Sequence, residues 1–244
     1  MSRPRTFLEF FAGGGMARAG LGPGWTCLWA NDNDPAKCRA YRDNWGSGHL
    51  TERDVAEIAA AEIPAADLAW ASFPCQDLSL AGARRGMGVG GRTRSSVFWA
   101  FWFLIERLAA EGRAPRVLVI ENVVGLASAR GARDFDALCT ALAGAGYRFD
   151  AHVIDAAGFV PQSRPRLFVT AWRGEAPPAL AEGPEAPPRH PALVRAFAAL
   201  EEPAPARRAL ALPPPPGRNA QLADLVSDDG APPWRSPAET RRLL

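Results

Sequence analysis

Lysine is almost missing from this chain. Of its 28 basic residues only Lys37 is a lysine, and the rest are arginine. The formal net charge is +2. That is too small for composition alone to indicate a polyanionic partner, because proteins that hold nucleic acid mainly by electrostatics are usually far more basic. Arginine is nevertheless the better residue for forked contacts to phosphates and base edges. Histidine is scarce as well, with three residues, and the four cysteines, Cys27, Cys38, Cys75 and Cys139, form no C-x-x-C pair. These absences argue against a zinc site and give no disulfide framework. Small buried apolar side chains are the expectation for Cys27, Cys38 and Cys139. No run of about 18 apolar residues occurs, so no membrane span is predicted. The first five residues lead directly into an apolar run without a cleavable leader pattern, and the expected location is the cytoplasm. No internal repeat is visible.

What the chain does have is alternation. Its 244 residues suffice for one good core with a small appendage. Between residues 5 and 172, short apolar runs with strand character alternate with helical spacing. Strands are predicted at Thr6–Phe11, Trp25–Ala30, Asp67–Ser72, Val117–Ile120, Tyr147–Ile154 and Leu167–Trp172, with a weaker candidate near Asp54. Helices are predicted at Met16–Leu21, Val97–Ala110 and Phe135–Leu142. The run Val117–Ile120 is continuously apolar, as in the interior strand of a parallel sheet. This order implies an α/β fold with a doubly wound, mostly parallel sheet. Beyond Trp172 the composition changes: 15 of the 23 prolines lie there. Residues 173–217 read as a proline-rich linker or loosely packed excursion. Residues 218–244 carry short helical patterns that stop abruptly, as expected of a chain continued elsewhere.

Four clusters could carry chemistry. Phe10-Phe11-Ala12-Gly13-Gly14-Gly15 follows the first strand, where glycines permit a tight turn and close approach of a ligand to the backbone. Asp32 follows the second strand, where an acid can accept ribose hydroxyls. Alone, this pair fits NAD, FAD, S-adenosylmethionine or a plain turn, although a complete G-x-G-x-x-G is lacking. Phe73-Pro74-Cys75-Gln76 follows a buried strand, which puts the Cys75 thiol at the carboxyl edge of the sheet, where such folds bind ligands. The loop Leu80–Arg94, rich in glycine and arginine, suits a lid that touches phosphates, or a solvated surface loop. Glu121-Asn122-Val123 directly follows the apolar run at 117–120; a lone glutamate there is more often a helix cap. Gln162-Ser163-Arg164-Pro165-Arg166 precedes the last strand, and its arginines suit a base carbonyl, a phosphate or a surface ion pair.

Taken in order, these motifs resemble the DNA cytosine-5 methyltransferase family: Phe-x-Gly-x-Gly at Phe11–Gly15, Pro-Cys-Gln at 74–76, Glu-Asn-Val at 121–123 and Gln-x-Arg-x-Arg at 162–166. The resemblance covers residues 5–172, more faintly to 244. It implies an S-adenosylmethionine-dependent, Rossmann-like methyltransferase fold with a catalytic domain at residues 1–172 and the start of a target-recognition region at 218–244. Phe11, Ala12, Gly13, Gly15, Asp32, Asp54, Val55, Phe73 and Pro74 would then bind S-adenosylmethionine, with Asp32 at the ribose and Asp54 near the adenine amine. Cys75 would be the nucleophile, Glu121 would hold the cytosine ring, and Arg164 and Arg166 would complete the catalytic group. Gln76, Ser79, Arg84, Arg85 and Arg94 would contact DNA. The implied substrate is cytosine in double-stranded DNA, in a restriction-modification or related bacterial or phage system, with no metal and no membrane. There are departures: Glu9 stands for the usual Asp, Met16 for a further glycine, and Thr93 for an acid. The late Arg-Pro-x-Thr and Gly-Asn motifs are not found, which points to a second chain or a further C-terminal region. An RNA cytosine-5 methyltransferase or an inactive half-enzyme is the alternative, and an NAD oxidoreductase a remote one.

Overall fold

The computed structural model describes residues 4–74, 96–176, 189–200, 203–218, 220–225 and 236. Its strands are β1 (Arg5–Phe10), β2 (Trp25–Asp32), β3 (Leu50–Glu52), β4 (Leu68–Ala71), β5 (Val117–Asn122), β6 (Arg148–Asp155) and β7 (Pro165–Trp172). Its helices are α1 (Met16–Leu21), α2 (Pro35–Trp45), α3 (Ser96–Ala110), α4 (Arg133–Gly144) and α5 (Pro191–Ala198). The strands form one seven-stranded sheet in the order β3-β2-β1-β4-β5-β7-β6. From β3 through β5 all neighbours are parallel, and β5 pairs with β7 antiparallel. The chain is therefore α/β with a mostly parallel sheet, and β5 is a parallel strand only on its β4 side.

Alternation along the strands divides the apolar residues between two faces. On one face Leu8, Phe10, Ala69, Leu118, Ile120 and Val169 pack with α3, α4 and α5. α3 contributes Phe98, Phe101, Trp102, Ile105 and Leu108, all essentially buried, at the i, i+3, i+4, i+7 spacing of an apolar stripe. Burying one such aromatic is worth about 1.5–3 kcal/mol. On the other face Phe7, Cys27, Ala30, Tyr41 and Leu68 form a smaller cluster. Cys27, Cys38 and Cys139 are free and buried.

Two helices open on a capped proline, and one strand is very short. α2 is started by its cap: the Asp34 carboxylate accepts the N–H groups of Ala36 (2.8 Å) and Lys37 (3.2 Å), and Pro35 occupies the first turn, where its missing N–H costs nothing. α5 begins the same way, with Pro191 after His190, whose Nδ1 accepts Ala192 N–H. β3 has only three residues, none of them buried.

α5 lies inside the proline-rich stretch 173–217, which is thus more structured than its composition implies. The anchor is Asp150, fully buried. Its carboxylate accepts from Arg189 Nη2 (2.6 Å), Arg207 Nε (3.4 Å) and Leu210 N–H (2.8 Å). Arg208 N–H donates to Phe149 O at 2.9 Å, so residues 207–210 run as a strap beside β6.

The chain divides into two compact units, Met1–Ile154 with Pro165–Pro213, and Asp155–Arg164 with Pro214–Leu244. In the second, Asp155 accepts from Ala157 N–H (2.9 Å), Ser163 Oγ (2.9 Å) and Arg164 N–H (2.7 Å). Those backbone donors hold its carboxyl below the ordinary range. Arg218 Nε donates to Ala157 O at 2.8 Å.

Candidate active site

Because β1 to β5 run parallel, their carboxyl ends share one edge of the sheet. The strand order reverses between β1 and β4, and in open α/β sheets ligands bind at that switch point, outside the carboxyl ends. Most of the candidate residues emerge there.

The turn after β1 contains three positive φ angles, at Phe11 (57°), Gly13 (56°) and Gly15 (82°). Phe11 is the unusual member, since a side chain there costs about 1–2 kcal/mol. The turn is closed by its own bond from Gly15 N–H to Ala12 O (2.8 Å), and Ala12 N–H donates to Asn31 O on β2 (2.8 Å). Asp32, at the end of β2, fastens it further. Its Oδ2 accepts Gly13 N–H (2.9 Å) and its Oδ1 accepts Asp34 N–H (2.9 Å). Each carboxylate oxygen has a second lone pair available to a further donor.

The glycines differ in what they require. A Cβ at Gly13 would meet no atom within 4 Å, so open space lies beside the turn. A Cβ at Gly15 would stand 2.3 Å from Trp45 Nε1 and 3.0 Å from Tyr41 Cε2. Gly15 is thus forbidden a side chain by α2, and Trp45 Nε1 donates to Gly14 O (3.1 Å).

The neighbouring strand ends are tied in by two buried asparagines, Asn31, which sequence reasoning missed, and Asn122, which it placed in a motif without a role. Asn31 Nδ2 donates to Thr51 O (3.0 Å) and Arg53 O (2.7 Å), fixing the backbone ahead of Asp54. Asp54 is half-buried and accepts Ala56 N–H (2.9 Å), while Val55 is buried. Asn122 Nδ2 donates to Phe73 O (3.1 Å), joining the end of β5 to the segment after β4. Phe73 is buried against Phe98, with ring centroids 5.3 Å apart, and Pro74 is exposed. Both asparagines sit at strand ends beside predicted site residues, which was the available signal. Cys75, Gln76, Ser79, Arg84, Arg85 and Arg94 lie outside the described residues.

Glu121 and Arg166 are brought together. Arg166 Nε stands 3.2 Å from Glu121 Oε1, and both side chains are about one-fifth exposed. The register explains this: Glu121 lies opposite Phe168 on β7, so Arg166 is its diagonal neighbour on the same face. Arg164 belongs to the second unit, where its side chain is exposed.

Glu9 was also missed as a functional candidate. It is 1% exposed. Its Oε1 accepts the N–H groups of Ala17 (3.1 Å) and Arg18 (3.3 Å). Burial pushes its pKa up to about 7 against the opposing pull of those donors and the Arg18 charge. Among the described residues no helix is long and apolar enough to cross a membrane, and no cluster of His, Cys, Asp or Glu is arranged to hold a metal.

The model of the C-5 cytosine-specific DNA methylases matches residues 5–207, most of the chain. The chain belongs to that family. Among curated relatives, it is 29% identical over 171 residues to the Type II methyltransferase M.HhaI of Haemophilus parahaemolyticus, covering 69% of this chain and 49% of that protein. It is 32% identical over 174 residues to the Type II methyltransferase M.Eco47II of Escherichia coli, covering 70% and 40%. The methylase chain thus spans about half the length, or less, of these curated relatives. Among solved structures, the S. pombe Dnmt2 methyltransferase superposes with a TM-score of 0.57 at 21% identity, covering 71% of this chain and 52% of that one. A putative DNA modification methyltransferase encoded within an E. coli prophage gives 0.53 at 20%, covering 69% and 47%. At these identities the two structures speak for the fold.

Proposed function

We propose that this methylase transfers a methyl group to carbon 5 of cytosine in duplex DNA through a covalent adduct of Cys75. The observation that carries the reading is the pairing of Glu121 with Arg166 at 3.2 Å, on the sheet edge that also presents the acid-locked glycine turn. The bond from Asn122 Nδ2 to Phe73 O, two residues before Cys75 in the chain, supports it.

The open space beside Gly13 and the spare acceptor capacity of Asp32 and Asp54 fit a ligand with ribose hydroxyls and an adenine amine. Phe11, Ala12, Gly13, Gly15, Asp32, Asp54, Val55, Phe73 and Pro74 would hold S-adenosylmethionine. When bound, it supplies an electrophilic methyl group on a sulfonium sulfur.

The chain's own groups do the rest. Carbon 5 of cytosine is a poor nucleophile until an electron pair is pushed into the ring, so the Cys75 thiolate adds at carbon 6. Glu121 holds a proton at ring nitrogen 3 and offsets the charge that builds there, and Arg166 holds the carbonyl oxygen. Once carbon 5 is methylated, a base removes its proton, the carbon 5–carbon 6 double bond re-forms, and the thiolate departs. Carbon 6 is shielded in a stacked helix, so the base must be turned out at a cost of a few kcal/mol. Gln76, Ser79, Arg84, Arg85 and Arg94 would grip the strand around it. A second polypeptide, or a C-terminal region matching the remainder of the relatives, would read the target sequence, in a setting such as restriction-modification.

Duplex DNA carrying 5-fluorocytosine tests this, because fluorine at carbon 5 blocks the proton removal that frees the enzyme. With S-adenosylmethionine, a denaturation-resistant adduct should map to the Cys75 peptide and vanish in Cys75→Ser. Glu121→Gln should slow its formation strongly. Adducts on fluorinated transfer RNA but not on DNA would move the substrate to RNA, and no adduct on either, with the target-reading region supplied, would end the reading.

A further inference from the structure

The carboxyl of Glu9 is buried behind the glycine turn, two residues before Phe11 on the first strand. Oε1 holds the backbone of Ala17 and Arg18 at the start of α1. Oε2 is buried and meets no hydrogen-bond partner, although an ionised oxygen in such a place normally has one. The residues that Glu9 grips lead into the packing under the turn. The Arg18 guanidinium lies over the Trp45 ring, 4.7 Å from its centroid. It also donates to Tyr41 Oη at 3.3 Å and pairs with His49 Nε2. Trp45 in turn donates to Gly14 O, and together with Tyr41 it fills the space that a side chain at Gly15 would take. Glu9 is therefore linked to the turn twice, through the chain itself and through Arg18 and Trp45.

We propose that Glu9 is a positioning residue for the cofactor turn, and that the turn holds its ligand more tightly when the Glu9 carboxyl is ionised than when it carries a proton. This rests on the reading of the turn as the S-adenosylmethionine site. An ionised carboxylate makes stronger bonds to the two N–H groups than a neutral acid does, which stiffens residues 12–18. The groups that face it are Arg18 from α1, Cys27 from β2, Tyr41 from α2 and His49 from the turn before β3. Tyr41 is pushed far toward its neutral form, Cys27 is raised and His49 is lowered, each chiefly by burial. The guanidinium of Arg18 is thus the cation of this group. Burial holds the Glu9 proton on to about pH 7, so the two states exchange within the working range.

Calorimetric binding of S-adenosylhomocysteine to the chain between pH 5.5 and 8.5 tests the proposal. In the wild type, affinity should rise about fivefold across neutrality, the ratio expected when charge-assisted bonds replace neutral ones. By linkage, binding near pH 6.7 should release about 0.4 proton, visible as a buffer-dependent heat. Glu9→Gln should give a flat profile at the low-pH affinity, and Glu9→Asp should restore the slope; the ligand's own amine contributes equally to all three. Binding with the same slope in wild type and Glu9→Gln overturns the proposal and leaves the site reading intact. No binding at any pH overturns both.

Discussion

Replacing Gly15 with alanine should cost far more than replacing Gly13, although both are motif glycines with positive φ. Each substitution forces alanine into the left-handed region, at about 1–2 kcal/mol. At Gly13 the new methyl meets nothing within 4 Å, so the cost ends there. At Gly15 it would overlap Trp45 at 2.3 Å, and the indole must move. That sacrifices the bond from Trp45 Nε1 to Gly14 O, worth about 1 kcal/mol. It also disturbs the stacking of Arg18 on Trp45, worth roughly 0.5–1 kcal/mol. The sum is about 3 kcal/mol, or about 6–12 °C in Tm for a chain of this size. Ligand binding should show a different pattern. Gly13→Ala loses only about 1–2 kcal/mol, the cost of its left-handed backbone, but also loses affinity for S-adenosylhomocysteine, because its methyl enters the open space beside the turn. Paired thermal melts and calorimetry of the two variants provide the check. If they melt within about 2 °C of each other, Trp45 does not enforce glycine at position 15 and the packing account fails.

Glu9 makes a second prediction, about stability. Its folded pKa of about 7 lies above the value of 4.5 for a free glutamate. Between those limits the unfolded chain gives up the proton that the fold retains, so stability falls as pH rises through the window, by up to roughly 3 kcal/mol. Urea melts at pH 4.5 and 8 should show Glu9→Gln losing less stability than wild type; equal losses would refute this. Asp150→Ala should destabilise by about 3 kcal/mol, because it removes the buried carboxylate shared by Arg189, Arg207 and the Leu210 N–H. It should also open the 189–210 segment to limited proteolysis, and an unchanged cleavage pattern would count against the strap. Asn122→Ala should cost about 1–3 kcal/mol through the unmet Phe73 carbonyl and slow the 5-fluorocytosine adduct; an unaltered adduct rate would separate Asn122 from the site.

The α/β class and most strand positions were legible because apolar runs of strand length write burial directly into the sequence. The helix Met16–Leu21 matches its expected bounds. α2 was not legible in the same way: its exposed face is polar, and its signal was the Asp34-Pro35 cap rather than periodicity. α5 was hidden by the prolines around it, since a proline in the first turn starts a helix as readily as proline interrupts one. The antiparallel direction of β7 has no mark in its alternation, although the short connection after β6 leaves no room for a crossover helix. At the site, Glu121 and Arg166 were named and the structure joins them, whereas Asn31 was overlooked, and Asn122 and Glu9 were noted in motifs without a role. A buried polar side chain takes its role from partners distant in the chain: for Asn122, the carbonyl of Phe73.

The reversed strand β7 has a consequence for how the methylase can err in folding. Glu121 comes near the end of β5 and Arg166 near the beginning of β7, and they meet only because the two strands run in opposite senses. A parallel β7 would carry its arginine to the far rim of the sheet, roughly 20 Å away. A slip of one residue would turn the guanidinium to the opposite face. Correct alignment of β5 with β7 and delivery of the cation to its carboxylate are one event, so a misaligned molecule is also one without its charge pair.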